Sequence, residues 1–88
     1  MPGYGGSVTD LDPTRPKWPQ IAERLADRIE GGQYAPGRLI SSRSVEEEFG
    51  VAKVTAGKAL AELRRRNLVR TEFGMGSYVT GPAERGDN

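Results

Sequence analysis

A mainly α fold with a small β-hairpin is what this sequence predicts, and three features carry the prediction. Three stretches have apolar residues at helical spacing. The second and third are separated by only three or four residues with Gly50 at the joint. A closing run of β-branched and aromatic residues is broken at its centre by Gly74-Met75-Gly76.

The first helix is expected from about Trp18 to Glu30. Ile21, Leu25 and Ile29 fall at i, i+4 and i+8, Ala22 and Ala26 widen the stripe, and Arg24, Asp27 and Arg28 lie outside it. Pro19 suits the first turn, where its missing N–H costs nothing. Gly31-Gly32 stops the helix, and Tyr34-Ala35-Pro36-Gly37 reads as a turn. A short second helix follows, capped by Ser41 or Ser42. Val45 and Phe49 sit one turn apart on its buried side, Glu46-Glu47-Glu48 face water, and Gly50 ends it.

After Gly50 comes Val51-Ala52-Lys53, then a third helix to about Arg66. Ala56, Ala59, Leu60 and Leu63 make its inner stripe, and Lys53, Gly57, Lys58, Ala61 and Arg64 make the opposite face. Helices joined this tightly cannot lie side by side, so they fit the crossed pair of a helix-turn-helix. Asn67 serves as the end cap, and Leu68 to Thr80 forms the hairpin. The prediction is therefore a winged helix-turn-helix, three helices plus a wing. Trp18 and Tyr34 read as lids over the core, and Phe49 and Tyr78 as packing residues.

The chain has 88 residues, room for one small core. Residues 1–16 and 81–88 are rich in Gly, Pro and polar residues, so the expected organisation is a flexible arm (1–16), a domain (17–80) and a flexible tail (81–88). Without Cys or His there is no thiolate metal site, and the commonest general base is missing. An enzyme, a cofactor or a bound metal is not expected. No apolar run approaches the ~18 residues of a membrane span, and the first residues lack a basic stretch followed by an apolar one. The expected location is the cytoplasm, away from any membrane.

Charge is sorted along the chain rather than mixed. Thirteen Lys and Arg oppose twelve Asp and Glu overall, but Ala52 to Arg70 holds six cations and one anion. A basic face suited to a polyanion follows. Lys53 and Thr55 add a charge and a hydroxyl to a helix N-terminus that already offers free N–H groups and a positive dipole end. Arg64-Arg65-Arg66 has a plainer reading, cations complementing the dipole of a last turn. A lone G-x-G followed by a strand lacks the helix that cradles phosphate, so nucleotide binding is not expected.

Trp18-Pro19-Gln20-Ile21-Ala22, Gly32-Gln33-Tyr34-Ala35-Pro36-Gly37, Leu39, Ser41, Arg43, Phe49-Gly50-Val51, Thr55, Ala59-Leu60, Leu63 and Gly74-Met75-Gly76-Ser77-Tyr78-Val79 occur in an order and spacing that resemble one family. It is the DNA-binding domain of the GntR (gluconate repressor) family of bacterial transcription regulators, over roughly residues 17–80. The resemblance implies a homodimer on a pseudo-palindromic double-stranded DNA operator, with the third helix in the major groove and the wing near the minor groove. It implies a transcription regulator, more often a repressor. Carried over by position, Arg43, Lys53, Thr55 and Gly74 fall where family members contact DNA. The alternative is a winged-helix module that binds another protein.

Three departures stand out. Ile40 replaces a frequent Pro, which loosens the expected entry to the second helix. Ala52 replaces a common Ser or Thr, removing a cap whose loss typically costs about 1 kcal/mol. Gly57 replaces a usual Arg that forks onto guanine, so either Lys58 or Arg43 takes over the base contact or the operator is unusual. The family's longer members carry a ligand-binding and dimerising domain after the wing. Here eight polar residues follow Thr80, and no effector domain is expected among them.

Overall fold

The computed structural model describes residues 11–72 and 76–82. Three helices, α1 (Lys17–Glu30), α2 (Ser42–Phe49) and α3 (Lys53–Arg65), are joined by a small sheet of β1 (Leu39–Ile40), β2 (Val69–Glu72) and β3 (Gly76–Val79). This is a winged helix-turn-helix. α3 lies at its centre, packed on α1, α2 and β2.

The inner stripes of the helices meet as predicted from their spacing. Ile21, Ala22, Leu25, Ala26 and Ile29 of α1, Val45 and Phe49 of α2, and Ala56, Ala59, Leu60 and Leu63 of α3 are all buried in one cluster, closed by Ile40, Leu68, Val69 and Val79. Alanines along both α1 and α3 let the two helices approach closely while Leu25 and Leu63 fill the space beside them. Trp18 and Tyr34 cover the margin of the cluster.

The sheet has one strand more than the hairpin expected from sequence. Its order is β1-β3-β2, all antiparallel, with Leu39 opposite Tyr78, Ile40 opposite Ser77 and Val69 opposite Val79. Ile40 is buried and paired, so the entry to α2 is tied to the wing, where the sequence comparison suggested loosening. Leu39 explains Gly76. A Cβ there would stand 2.9 Å from Leu39 Cδ1, and the backbone has φ +111°, a region that side chains avoid. Tyr78 does not pack in the core as expected. It is half-exposed on the outer face, between its register partners Leu39 and Arg70.

The joint between α2 and α3 is set by Gly50. Its φ of 64° and ψ of 41° place it in the left-handed region, and its N–H closes on the Glu46 carbonyl. Ser41 is the cap of α2, its Oγ accepting the Ser44 N–H at 3.0 Å. At the far end of α3, Asn67 takes φ 63°, and the buried Thr80 donates its hydroxyl to the Asn67 carbonyl at 2.8 Å, fastening the wing to the helix end.

The acidic run of α2 is not simply a solvated face. The Arg28 guanidinium donates to both carboxylate oxygens of Glu48 and to the Tyr34 hydroxyl, and it lies over the Phe49 ring at 5.6 Å. The Glu48 bond raises the Arg28 pKa above its ordinary value. Arg38 also stacks on Tyr34, 4.3 Å from the ring centre. Glu46 accepts from Ser42 Oγ at 3.0 Å and Glu47 from Arg43 at 3.1 Å.

Residues 11–16, predicted to belong to the arm, fold back on α1. Leu11 packs against the core, and the Gln20 side chain accepts the Asp12 N–H at 2.7 Å while donating to the Pro16 carbonyl at 3.0 Å. Thr14 bonds the Asp12 carboxylate through both hydroxyl and N–H, holding its pKa below the usual carboxylate range. Residues 1–10 and 83–88 lie outside the described segments.

The three arginines at the end of α3 do more than face its dipole. Arg65 and Arg66 both donate to Glu62, Arg66 also reaches Glu23 of α1 at 2.7 Å, and Arg64 donates to Thr71 of β2 at 2.9 Å. The Arg65 and then the Arg66 hydrogen bonds hold the Glu62 carboxyl down to about 2 against an ordinary 4.5. A carboxylate depressed on folding stabilises the fold above its unfolded pKa, and the contribution fades as pH falls toward the folded value. Thermal melts of the wild type and Glu62→Gln are therefore expected to differ most above pH 5, with the wild type higher. The gap should narrow below pH 4.5 and close near pH 2. A gap independent of pH would assign the stabilisation to packing of the side chain instead.

Candidate nucleic-acid interface

α3 begins without a side-chain cap. Ala52 at its N-cap has extended geometry and no hydroxyl, so the first-turn N–H groups keep their hydrogen-bonding capacity for an outside acceptor. The start of α2 differs, because Ser41 already occupies one of its donors. A positive helix end with free donors favours an anion, and phosphate fits it.

Around this end stand two of the predicted cations. Lys53 is the first residue of α3 and is exposed. Arg43, on the first turn of α2, has a side chain 85% exposed, and with Lys53, Ser42, Glu46 and Glu47 it lines one open depression. Both partners of the Arg43–Glu47 pair are exposed, and such pairs contribute about 0–1 kcal/mol, so little holds the guanidinium from a better anion.

The other predicted positions divide. Lys58 and Gly57 are exposed on the outward face of α3, and a Cβ added at Gly57 would meet nothing within 4 Å. Thr55 is half-buried, turned partly toward the interior, which brings it less fully to the surface than Lys53. Gly74 lies outside the described residues. The structure thus gathers Arg43 and Lys53 at one depression, lays Gly57 and Lys58 along the adjoining helix face, and sets Thr55 at its edge.

Sequence reasoning passed over Val54. Its side chain is 68% exposed, beside Lys53 and one turn before Gly57 and Lys58. The signal was available. Val54 falls off the stripe of Ala56, Ala59, Leu60 and Leu63, which marks it as an apolar residue on the outer side of an amphipathic helix.

Among the described residues, the stretch leading into α1 lies away from this face. Arg15, Trp18, Pro19 and Gln20 lie together with Glu62 and Arg66, at the opposite end of α3 from Lys53. Among the described residues no group of His, Cys, Asp and Glu could hold a metal ion, and no helix is long and apolar enough to cross a membrane.

Residues 18–79 match the family described as bacterial regulatory proteins, gntR family. Over 66 residues the chain is 35% identical to the mannosyl-D-glycerate transport/metabolism system repressor MngR of Escherichia coli, covering 74% of this chain and 28% of that one. A GntR family transcriptional regulator from Listeria monocytogenes superposes with a TM-score of 0.77 at 27% identity, over 86% of this chain and 68% of the other. The DNA-binding domain of AraR, solved in complex with operator ORE1, gives a TM-score of 0.70 at 27% identity, over 81% of this chain and 90% of its own. The chain spans less than a third of the length of the curated relatives it matches.

Proposed function

The chain belongs to the gntR family of bacterial regulatory proteins, and from that membership we propose that it binds double-stranded DNA and regulates transcription, with α3 in the major groove. The observation that carries the reading is the uncapped start of α3, open to solvent with Lys53 on it and Arg43 beside it. In this role Arg43, Lys53 and the first-turn N–H groups meet phosphate and set the register. Gly57 and Lys58 face the bases, Thr55 supports the edge of the contact, and Gly74 in the wing tip approaches the minor groove. A homodimer on a pseudo-palindromic operator, repressing by covering a promoter in the cytoplasm, completes the proposal. The repressor role has support in the name of the E. coli relative, and operator binding in the AraR domain bound to its operator. The family is one of regulators, and no catalytic role is proposed.

The test is a gel-shift series with random and palindromic duplexes at several salt concentrations. If about five cations meet phosphates, log affinity falls against log salt with a slope near −4 to −5, at about −0.9 per contact. Arg43→Ala and Lys53→Ala are each expected to weaken binding about tenfold and to flatten that slope by about one, uniformly across sequences. Their melting temperatures should stay close to the wild type, because both side chains are exposed. Unchanged affinity in both variants would refute this face. Failure of any salt-sensitive complex to form at low ionic strength would favour a protein-interaction module.

A further inference from the structure

Leu39 and Val54 are the large hydrophobic side chains exposed among the described residues, and Val54 is the more exposed at 68%. Leu39 has an evident function, since it covers Gly76 in the sheet. Val54 lies outside the core cluster of the described residues. It stands on the outward face of α3, flanked by Lys53 and next to the depression that Arg43 shares.

Val54, Gly57 and Lys58 fall at i, i+3 and i+4, so they are surface neighbours on one strip of helix. Gly57 carries no side chain, and the space where its Cβ would stand is empty to 4 Å. The strip therefore has an isopropyl group at one end, an ammonium at the other and a hollow between them. It has no guanidinium fork or side-chain amide to pair with a base edge. In the major groove one base presents an apolar group, the 5-methyl of thymine, and an apolar side chain is its natural partner.

We infer that α3 reads sequence through a thymine 5-methyl group seated against Val54, with the bare backbone at Gly57 allowing the base pair to come close. The inference rests on the DNA-binding reading above and adds the chemistry of its recognition. The flanking cations bring the polyanion down on either side of the strip, and the apolar contact then selects among base pairs. Thymine at one position in each half-site is the expected signature, where a family member with arginine at the place of Gly57 would favour guanine.

The experiment begins with a duplex selected by the protein from a random pool. Each thymine is then replaced singly by uracil, which removes the methyl group and leaves the pairing edges unchanged. One replacement per half-site is expected to lower wild-type affinity about fourfold, equivalent to about 0.8 kcal/mol for one buried carbon. Val54→Ala should bind the thymine and uracil duplexes equally at that position, while its melting temperature and salt slope match the wild type. If every uracil replacement is neutral while the selected duplex still binds with a steep salt slope, methyl readout is overturned and DNA binding stands. If a replacement matters equally in wild type and Val54→Ala, another residue reads the methyl group and the assignment to Val54 falls. If no duplex is selected at all, both readings fall together.

Discussion

Leu63→Ala is expected to lower the melting temperature by about 12–24 °C and to leave the protein partly unfolded near physiological temperature. Leu63 has no exposed surface and is among the largest side chains so enclosed. It sits on the face of α3 turned toward α1 and the sheet, so its loss opens a cavity at the centre of the molecule. Such truncations cost about 2–5 kcal/mol. Taking about 3 kcal/mol, and about 4–8 °C per kcal/mol for a domain of this size, gives the stated range. A small domain starts with about 5 kcal/mol, so the variant keeps little reserve. Circular dichroism melts measure the shift directly. A fall of less than about 5 °C would mean that the neighbouring helices collapse into the space. DNA affinity should drop with the folded fraction and recover at high duplex concentration, because a ligand that binds only the folded state pulls the equilibrium back.

Gly57→Arg is expected to create a guanine preference at one base pair of each half-site, worth about 1–3 kcal/mol or roughly five- to 150-fold. The position is exposed, and a Cβ there meets no atom of the described residues within 4 Å, so the new side chain has room to project outward. Glycine in a helix interior is also about 1 kcal/mol less favourable than a good helix former, so the variant should melt slightly higher. A guanidinium at this point can fork onto guanine O6 and N7, a pairing that the wild-type strip cannot make. Site selection from one random pool with both proteins reads the change. Identical selected sequences would show that position 57 does not face the bases, which would remove the orientation proposed for α3.

Much of this fold was legible because three helices carry unbroken apolar stripes. Ile21, Leu25 and Ile29, or Ala56, Ala59, Leu60 and Leu63, repeat often enough to define one face, and the same residues are buried. β1 was not legible. Two residues, one buried and one exposed, hold no period, and Leu39–Ile40 becomes a strand only because β3 lies beside it. Tyr78 was misread for a related reason: a single aromatic residue in a short strand does not say which side of the sheet is covered. The glutamates of α2 looked solvated because the partner of Glu48 is Arg28, distant in sequence and brought near by the packing of α1 on the helix pair.

The candidate interface shows the same division. Lys53 could be named from charge at a helix start and Arg43 from the family resemblance, and the structure sets them at one depression. Thr55 could not be judged from sequence, because its half-buried state depends on the crossing of α2 and α3. Val54 was visible as an apolar residue off the stripe, yet its meaning needed the open space over Gly57, which only coordinates supply.

The far half of α3 is staked to α1 and β2 through Arg66 and Arg64, while Lys53, Val54, Gly57 and Lys58 in its first turn and a half are exposed. On the proposed placement of α3 in the major groove, the stretch from Lys53 to Lys58 is about 8 Å long at 1.5 Å per residue and, with base pairs stacked about every 3.4 Å, would span a word of about three letters. Such a word recurs by chance about every 30 base pairs, counting both strands, far too often to pick one address among the millions of competing positions in a chromosome. An address of useful rarity would come from repeating the word at fixed spacing, which makes the distance between two copies of this domain as much a part of its code as the side chains themselves.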